Sequence, residues 1–208
     1  MRIACLISQQ GSGTNLFRSF FNSHPDIVLH DEILTKATRL KSFKTFMQTF
    51  KKEGRYFDKC HKGKYDEDKK PPAILGFDLK YNNIQSHPEI LQWLESHDAY
   101  IIHLKRCKGR TFLRNMNEQN RATLSFTQFQ EHLGFVEGFE WKIKDMFGKN
   151  NLRYLEVTYE DMTRGKEIEK LPLDFQNSVL SFLELNGQDV PLKQTGSYIR
   201  KEKLFMRY

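Results

Sequence analysis

Short apolar runs alternate with stretches whose apolar positions recur at helical spacing, and that alternation organises the chain. Ile3-Ala4-Cys5-Leu6-Ile7 has the length of a buried strand. Small and polar residues follow from Ser8 to Asn15, and then Leu16, Phe17, Phe20 and Phe21 fall on one face of a helix closed by His24-Pro25. A second strand is predicted over Ile27–His30, ending at Asp31-Glu32. A helix carrying Leu40, Phe43, Met47 and Phe50 comes next. The stretch 51–72, rich in both charges and holding Gly54, Gly63, Pro71 and Pro72, is predicted to be a surface loop.

The third strand is predicted over Ala73–Leu79. Ser86-x-x-Glu89 has the spacing of a capping box, with Pro88 early in the helix and Ile90, Leu91 and Leu94 facing inward. Ala99–Leu104 is the clearest buried strand, with Lys105-Arg106 at its carboxyl end. A helix beginning near Gly109 or Arg110 carries Phe112, Leu113 and Met116, and another from about Thr127 carries Phe129 to Phe147. Leu152–Val157 is the fifth strand. Asp174 is placed as the cap of a last helix stopped by Asn186-Gly187, and a basic tail runs from Pro191. Strands alternating with helices predict an α/β fold: three layers around a mostly parallel sheet of about five strands, with residues 1–208 as one domain.

Composition narrows the partners. The 208 residues are 38% hydrophobic with 17 Phe, enough for a full core. A net charge of +7 favours anionic ligands. The three cysteines form no C-x-x-C pair and suit a reducing compartment, with Cys5 in the core. No stretch reads as a signal peptide or membrane span, so a cytoplasmic location is expected. The seven His form no ligand-spaced cluster, so no metal is expected. A nucleic-acid module would interleave lysines and aromatics on one face, whereas these phenylalanines keep core spacing.

The chemistry concentrates in the first turn. A strand that passes through glycines into a helix aims backbone N–H groups and the positive helix end at one spot, which attracts phosphate or sulfate. Leu16 stands where a dinucleotide fingerprint needs a small residue. No Gly-Lys-Ser or Gly-Lys-Thr occurs, which weighs against a nucleotide-triphosphate kinase.

What remains, SGTNLFRSFFNSHPDIVLHDEIL, resembles the 5′-phosphosulfate loop of sulfotransferases, particularly the bacterial nodulation-type and related carbohydrate enzymes. YIIHLKR followed by a basic helix resembles the family's second signature, and VTYEDM its strand-end Tyr-Glu-Asp-Leu segment. The resemblance covers residues 6–32, 100–115 and 155–162 in motif detail. It implies a P-loop-like phosphosulfate-binding turn and 3′-phosphoadenosine 5′-phosphosulfate (PAPS) as sulfuryl donor, with a hydroxyl or amine of a glycan or small molecule as acceptor. It also implies that Gln10, Gly11, Ser12, Gly13, Thr14 and Asn15 cradle the donor. Arg106, with Arg114 or Asn115 in place of the family serine, then reads the 3′-phosphate. Glu32 stands where carbohydrate-type relatives carry a base. Many relatives place Lys or Arg directly before Ser-Gly-Thr. Gly11 stands there in this chain, so another cation, Arg18 or Lys80, has to assist. Strand three of relatives often reads Gly-Phe-Lys-Leu where this chain has Gly76-Phe77-Asp78-Leu79-Lys80. These two departures leave open a homologue that binds the nucleotide without turnover.

Overall fold

The computed structural model describes residues 1–32, 72–118, 125–149, 152–166, 168–185 and 191–194. The predicted helix over Leu40–Phe50, the loop 51–71, Cys60, the stop at Asn186-Gly187 and the tail from 195, with Arg200, lie outside the described residues.

Five strands form one parallel sheet: β1 (Arg2–Ser8), β2 (Ile27–Glu32), β3 (Ile74–Lys80), β4 (Tyr100–Lys105) and β5 (Arg153–Thr158), in the order β2-β3-β1-β4-β5. The near-continuous buried runs of the central strands β1, β3 and β4 are what a parallel sheet covered on both faces requires. Alternation along β1 divides the core. Ile3, Cys5 and Ile7 belong to the cluster with α2 (Tyr81–Ser86), α3 (Glu89–Ser96) and α5 (Phe126–Lys149). Ala4 and Leu6 belong to the cluster with α1 (Thr14–Phe21), α6 (Tyr159–Thr163) and α7 (Leu173–Phe182). Phe17, Phe20 and Phe21 of α1 are fully buried, each worth about 1.5–3 kcal/mol relative to exposure. The helix α4 (Lys108–Glu118) follows β4. The chain leaves β1 toward one face and β3 toward the other, so a crevice opens at the carboxyl ends of these central strands, where open α/β sheets bind ligands.

Three predicted boundaries are corrected. Ser86 closes α2, and α3 starts at Glu89 with Pro88 as its N-cap, so the Ser86–Glu89 capping box does not form. Asp174 is not the cap of α7. Pro172 is, and Asp174 sits in the first turn, accepting from Arg164 Nη2 at 2.6 and 2.7 Å. Asp31 and Glu32 do not lie past the end of β2 but within it, where a β-bulge falls between His30 and Glu32.

Beneath α5 runs a polar chain, buried at Tyr81 and His103 and half-buried at Tyr154 and Glu156. Tyr154 Oη donates to Glu156 Oε2 at 2.7 Å, so its oxygen accepts from His103 Nδ1 at 3.2 Å, and His103 Nε2 accepts from Tyr81 Oη at 2.6 Å. Burial lowers the His103 pKa to about 4, against the pull of Glu156. Burial alone would raise Glu156, but hydrogen bonds from Tyr154 and Lys144 and the charge of Lys105 bring it to about 2. Tyr81 directly follows Lys80, so this chain anchors the β3–α2 junction.

Candidate functional site

The glycine turn after β1 has the backbone that its sequence demands. Gly11 and Gly13 hold φ of +83° and +94°, a region that L side chains rarely adopt. Gly13 is the N-cap of α1, and no side chain caps that helix end. Its leading N–H groups are therefore presented toward the turn, as an anion site requires. Ser12 is 1% exposed, and its Oγ has no hydrogen-bond partner among the described residues. A buried hydroxyl without a partner costs free energy that a ligand oxygen would recover.

Tyr159 and Arg106 brace this turn. A Cβ on Gly13 would stand 2.3 Å from Tyr159 Cδ2, so the ring and the glycine backbone are in direct contact. The Arg106 guanidinium lies over the same ring, 4.1 Å from its centroid, and Nη1 donates to the Gly11 carbonyl at 2.9 Å. Thr158 caps α6 by accepting from the Asp161 N–H at 3.0 Å, which sets Tyr159 as the first helical residue. Arg114 and Asn115 approach from α4: a Gly11 Cβ would meet Asn115 Oδ1 at 3.2 Å and Arg114 Cδ at 3.4 Å. Asn115 Oδ1 is also buried without a hydrogen-bond partner among the described residues.

Below the turn sits a charged hub. Lys80, 5% exposed, donates from Nζ to Ser8 Oγ at 3.1 Å and Thr14 Oγ1 at 2.9 Å. The same ammonium meets both oxygens of Asp78, at 3.1 and 2.9 Å, and Glu32 Oε1 at 3.5 Å. The bulge on β2 makes this possible: it skips Asp31 and sets Glu32 opposite Asp78, turning its carboxylate toward Lys80. Burial raises the Asp78 carboxyl above the usual range, and Lys80, Thr14 and Arg18 offset part of that rise. Arg18 faces a different way, donating to Asp31 Oδ1 at 2.8 Å and to Asn15.

The structure thus gathers Gly11, Ser12, Gly13 and Thr14 with Arg106, Arg114 and Asn115, and links Glu32 to them through Lys80. Gln10 and Asn15 are exposed beside the turn. The sequence reading missed Ser8, Asp78 and Tyr159, and it offered Lys80 only as an alternative to Arg18. The signal was available in AILGFDLK: two charges two residues apart, on one face at the carboxyl end of a strand otherwise apolar.

Two cavities lie at opposite ends of the sheet. One of about 410 Å³ is lined by Lys105, Arg106, Cys107, Lys108, Gly109, Glu140, Thr158 and Glu160, on the outer side of the Arg106 brace. The other, about 430 Å³, lies at the opposite end of the sheet, where Arg2 and Arg153 both pair with Glu184. Among the described residues no three His, Cys, Asp or Glu side chains are placed to hold a metal ion, and no helix is long and apolar enough to cross a membrane.

The sheet is parallel in this order, with a glycine turn and a helix end without a side-chain cap after its central strand. Solved sulfotransferases share this fold. The chain superposes on a sulfotransferase from Alicyclobacillus acidocaldarius with a TM-score of 0.54 at 16% identity, over 92% of this chain and 84% of the other. It superposes on mouse sulfotransferase SULT7A1 complexed with PAP with a TM-score of 0.50 at 17% identity, over 90% of this chain and 60% of that one. No family model and no curated protein sequence matches the chain. The fold is that of sulfotransferases.

Proposed function

We propose that the protein is a sulfotransferase, built as one domain over residues 1–208, that takes its sulfuryl group from PAPS and passes it to a hydroxyl or amine of a glycan or small molecule. The observation that carries this reading is the meeting of a buried ammonium, Lys80, and a carboxylate, Glu32, directly under an uncapped, glycine-built turn. The complex of the mouse relative with PAP supports the choice of nucleotide.

In this reading the α1 N-terminus and Ser12 Oγ hold the 5′-phosphate end of the donor, and Lys80 stabilises the charge that grows on the phosphate oxygen as it leaves. Arg106, with Arg114 and Asn115, reads the 3′-phosphate. PAPS supplies a sulfur bonded to a good leaving phosphate. The acceptor oxygen or nitrogen bonds to that sulfur, the sulfur–bridging-oxygen bond breaks, and the acceptor proton passes to Glu32. No Lys or Arg is needed at Gly11, because Lys80 approaches the turn from below.

Transfer of labelled sulfate from PAPS to an acceptor panel tests the reading. Glu32→Gln is expected to lower transfer by about 10²–10⁴-fold while leaving donor affinity nearly unchanged. Full activity in that variant would remove Glu32 from the mechanism. Nucleotide binding by the unmutated protein with no transfer across the panel would support a binding homologue without turnover.

A further inference from the structure

Lys80 is held from below by a carboxylate that sulfuryl transfer does not itself require. Asp78 precedes Lys80 by two residues on β3, points to the same face and is 0% exposed. Its strand partner on β1 is Leu6, followed by Ile102 on β4, and on its other side stands Glu32 of β2. A buried ion pair is seldom more stabilising than apolar side chains of the same volume. Stability therefore gives no reason for the pair here. Geometry does. A lysine is a point charge on a flexible four-carbon stem, and Asp78 grips this one through both oxygens, 3.1 and 2.9 Å from Nζ. That grip sets the ammonium against Ser8 Oγ and Thr14 Oγ1 at the base of the turn. The other nearby acids do not substitute for it: Glu32 stands farther off at 3.5 Å, and Asp31 pairs with Arg18.

We propose that Asp78 is the positioning residue of the site, fixing the Lys80 ammonium under the glycine turn so that a ligand phosphate oxygen replaces Ser8 Oγ or Thr14 Oγ1 among its acceptors. This rests on the donor reading above. Asp78 touches neither donor nor acceptor and acts only through Lys80.

A double-mutant cycle of Asp78→Asn and Lys80→Met tests it, read by calorimetric affinity for adenosine 3′,5′-bisphosphate and by thermal melting. Asp78→Asn is expected to weaken binding about tenfold in the unmutated protein and by less than about twofold in the Lys80→Met background. Melting should change sign. Asp78→Asn lowers the melting temperature on its own but raises it beside Lys80→Met, where it removes a buried carboxylate left without its cation. Equal losses in both backgrounds, or unchanged binding in Asp78→Asn, would overturn the positioning role alone. If Asp78→Asn does not fold, Lys80→Met with and without Asp78→Leu makes the same discrimination: equal affinity is expected, and a further loss overturns the proposal. An unmutated protein that does not bind the bisphosphate overturns the donor reading and this assignment with it, while the sign change in melting still reports the pair.

Discussion

Gly13 is the position where the site has least latitude. Its φ of +94° excludes ordinary side chains, and the Tyr159 ring fills the place where Cβ would stand. Gly13→Ala must displace that ring and, with it, the Arg106 guanidinium stacked on the same aromatic. The expected cost is roughly 2–3 kcal/mol, read as a lower melting temperature together with lost nucleotide affinity. An unchanged melting temperature would contradict the packing described. Gly11 is less tightly enclosed, with Asn115 Oδ1 at 3.2 Å and Arg114 Cδ at 3.4 Å from a Cβ, but its φ of +83° carries the same strain. Gly11→Lys, which restores the cation common among sulfotransferases, is therefore expected to cost about 1–2 kcal/mol and to bring no gain in transfer. Increased transfer by Gly11→Lys would show that Lys80 does not fill that role.

At the scale of elements, the polar chain from Tyr81 to Glu156 makes stability depend on pH. His103 is neutral in the fold because burial lowers its pKa from 6.5 to about 4, so the unfolded chain binds a proton that the folded one refuses. Stability from this group is complete above pH 6.5 and falls as pH drops toward 4, by on the order of 3 kcal/mol. Glu156, lowered from 4.5 to about 2, adds a second loss below pH 4.5. Melting temperatures measured from pH 7.5 to 4 should show the first decline, and His103→Gln should flatten it. The same slope in both proteins would contradict the assignment.

Elements were legible in the sequence where burial alone shapes them. The central strands stood out because a parallel sheet covered on both faces needs near-unbroken apolar runs, the edge strands β2 and β5 showed shorter ones, and the order of strands and helices followed. Short elements did not. The helix α2, YNNIQS, has few apolar positions to set a period, and α6 spans only five residues. Ser86 carried a capping signal, yet Pro88 sits at the cap instead. The turn itself was legible from its glycines, but the hub beneath it was not. It depends on a bulge at Asp31 that no local pattern announces, and on Lys80 meeting Thr14 and Ser8, 66 and 72 positions away in the chain. Tyr159 likewise reaches the turn only through the pairing of β4 with β5.

For the whole molecule, the strand order sets the crevice at the carboxyl end of β1, and the elements around it bring together four cations, Lys80, Arg18, Arg106 and Arg114. Three carboxylates share that end of the sheet, and Asp78, Glu32 and Asp31 lie within ion-pair distance of the first two. Most of the net charge of +7 therefore arises away from the turn. Recognition there must come from directed hydrogen bonds rather than from bulk positive potential. A titration of the unmutated protein and of Arg106→Ala with adenosine 3′,5′-bisphosphate and with adenosine 5′-monophosphate tests this most directly. The account predicts that the bisphosphate binds the unmutated protein at least about tenfold more tightly than the monophosphate, a preference that Arg106→Ala largely abolishes. Equal affinity of the unmutated protein for the two nucleotides would contradict it.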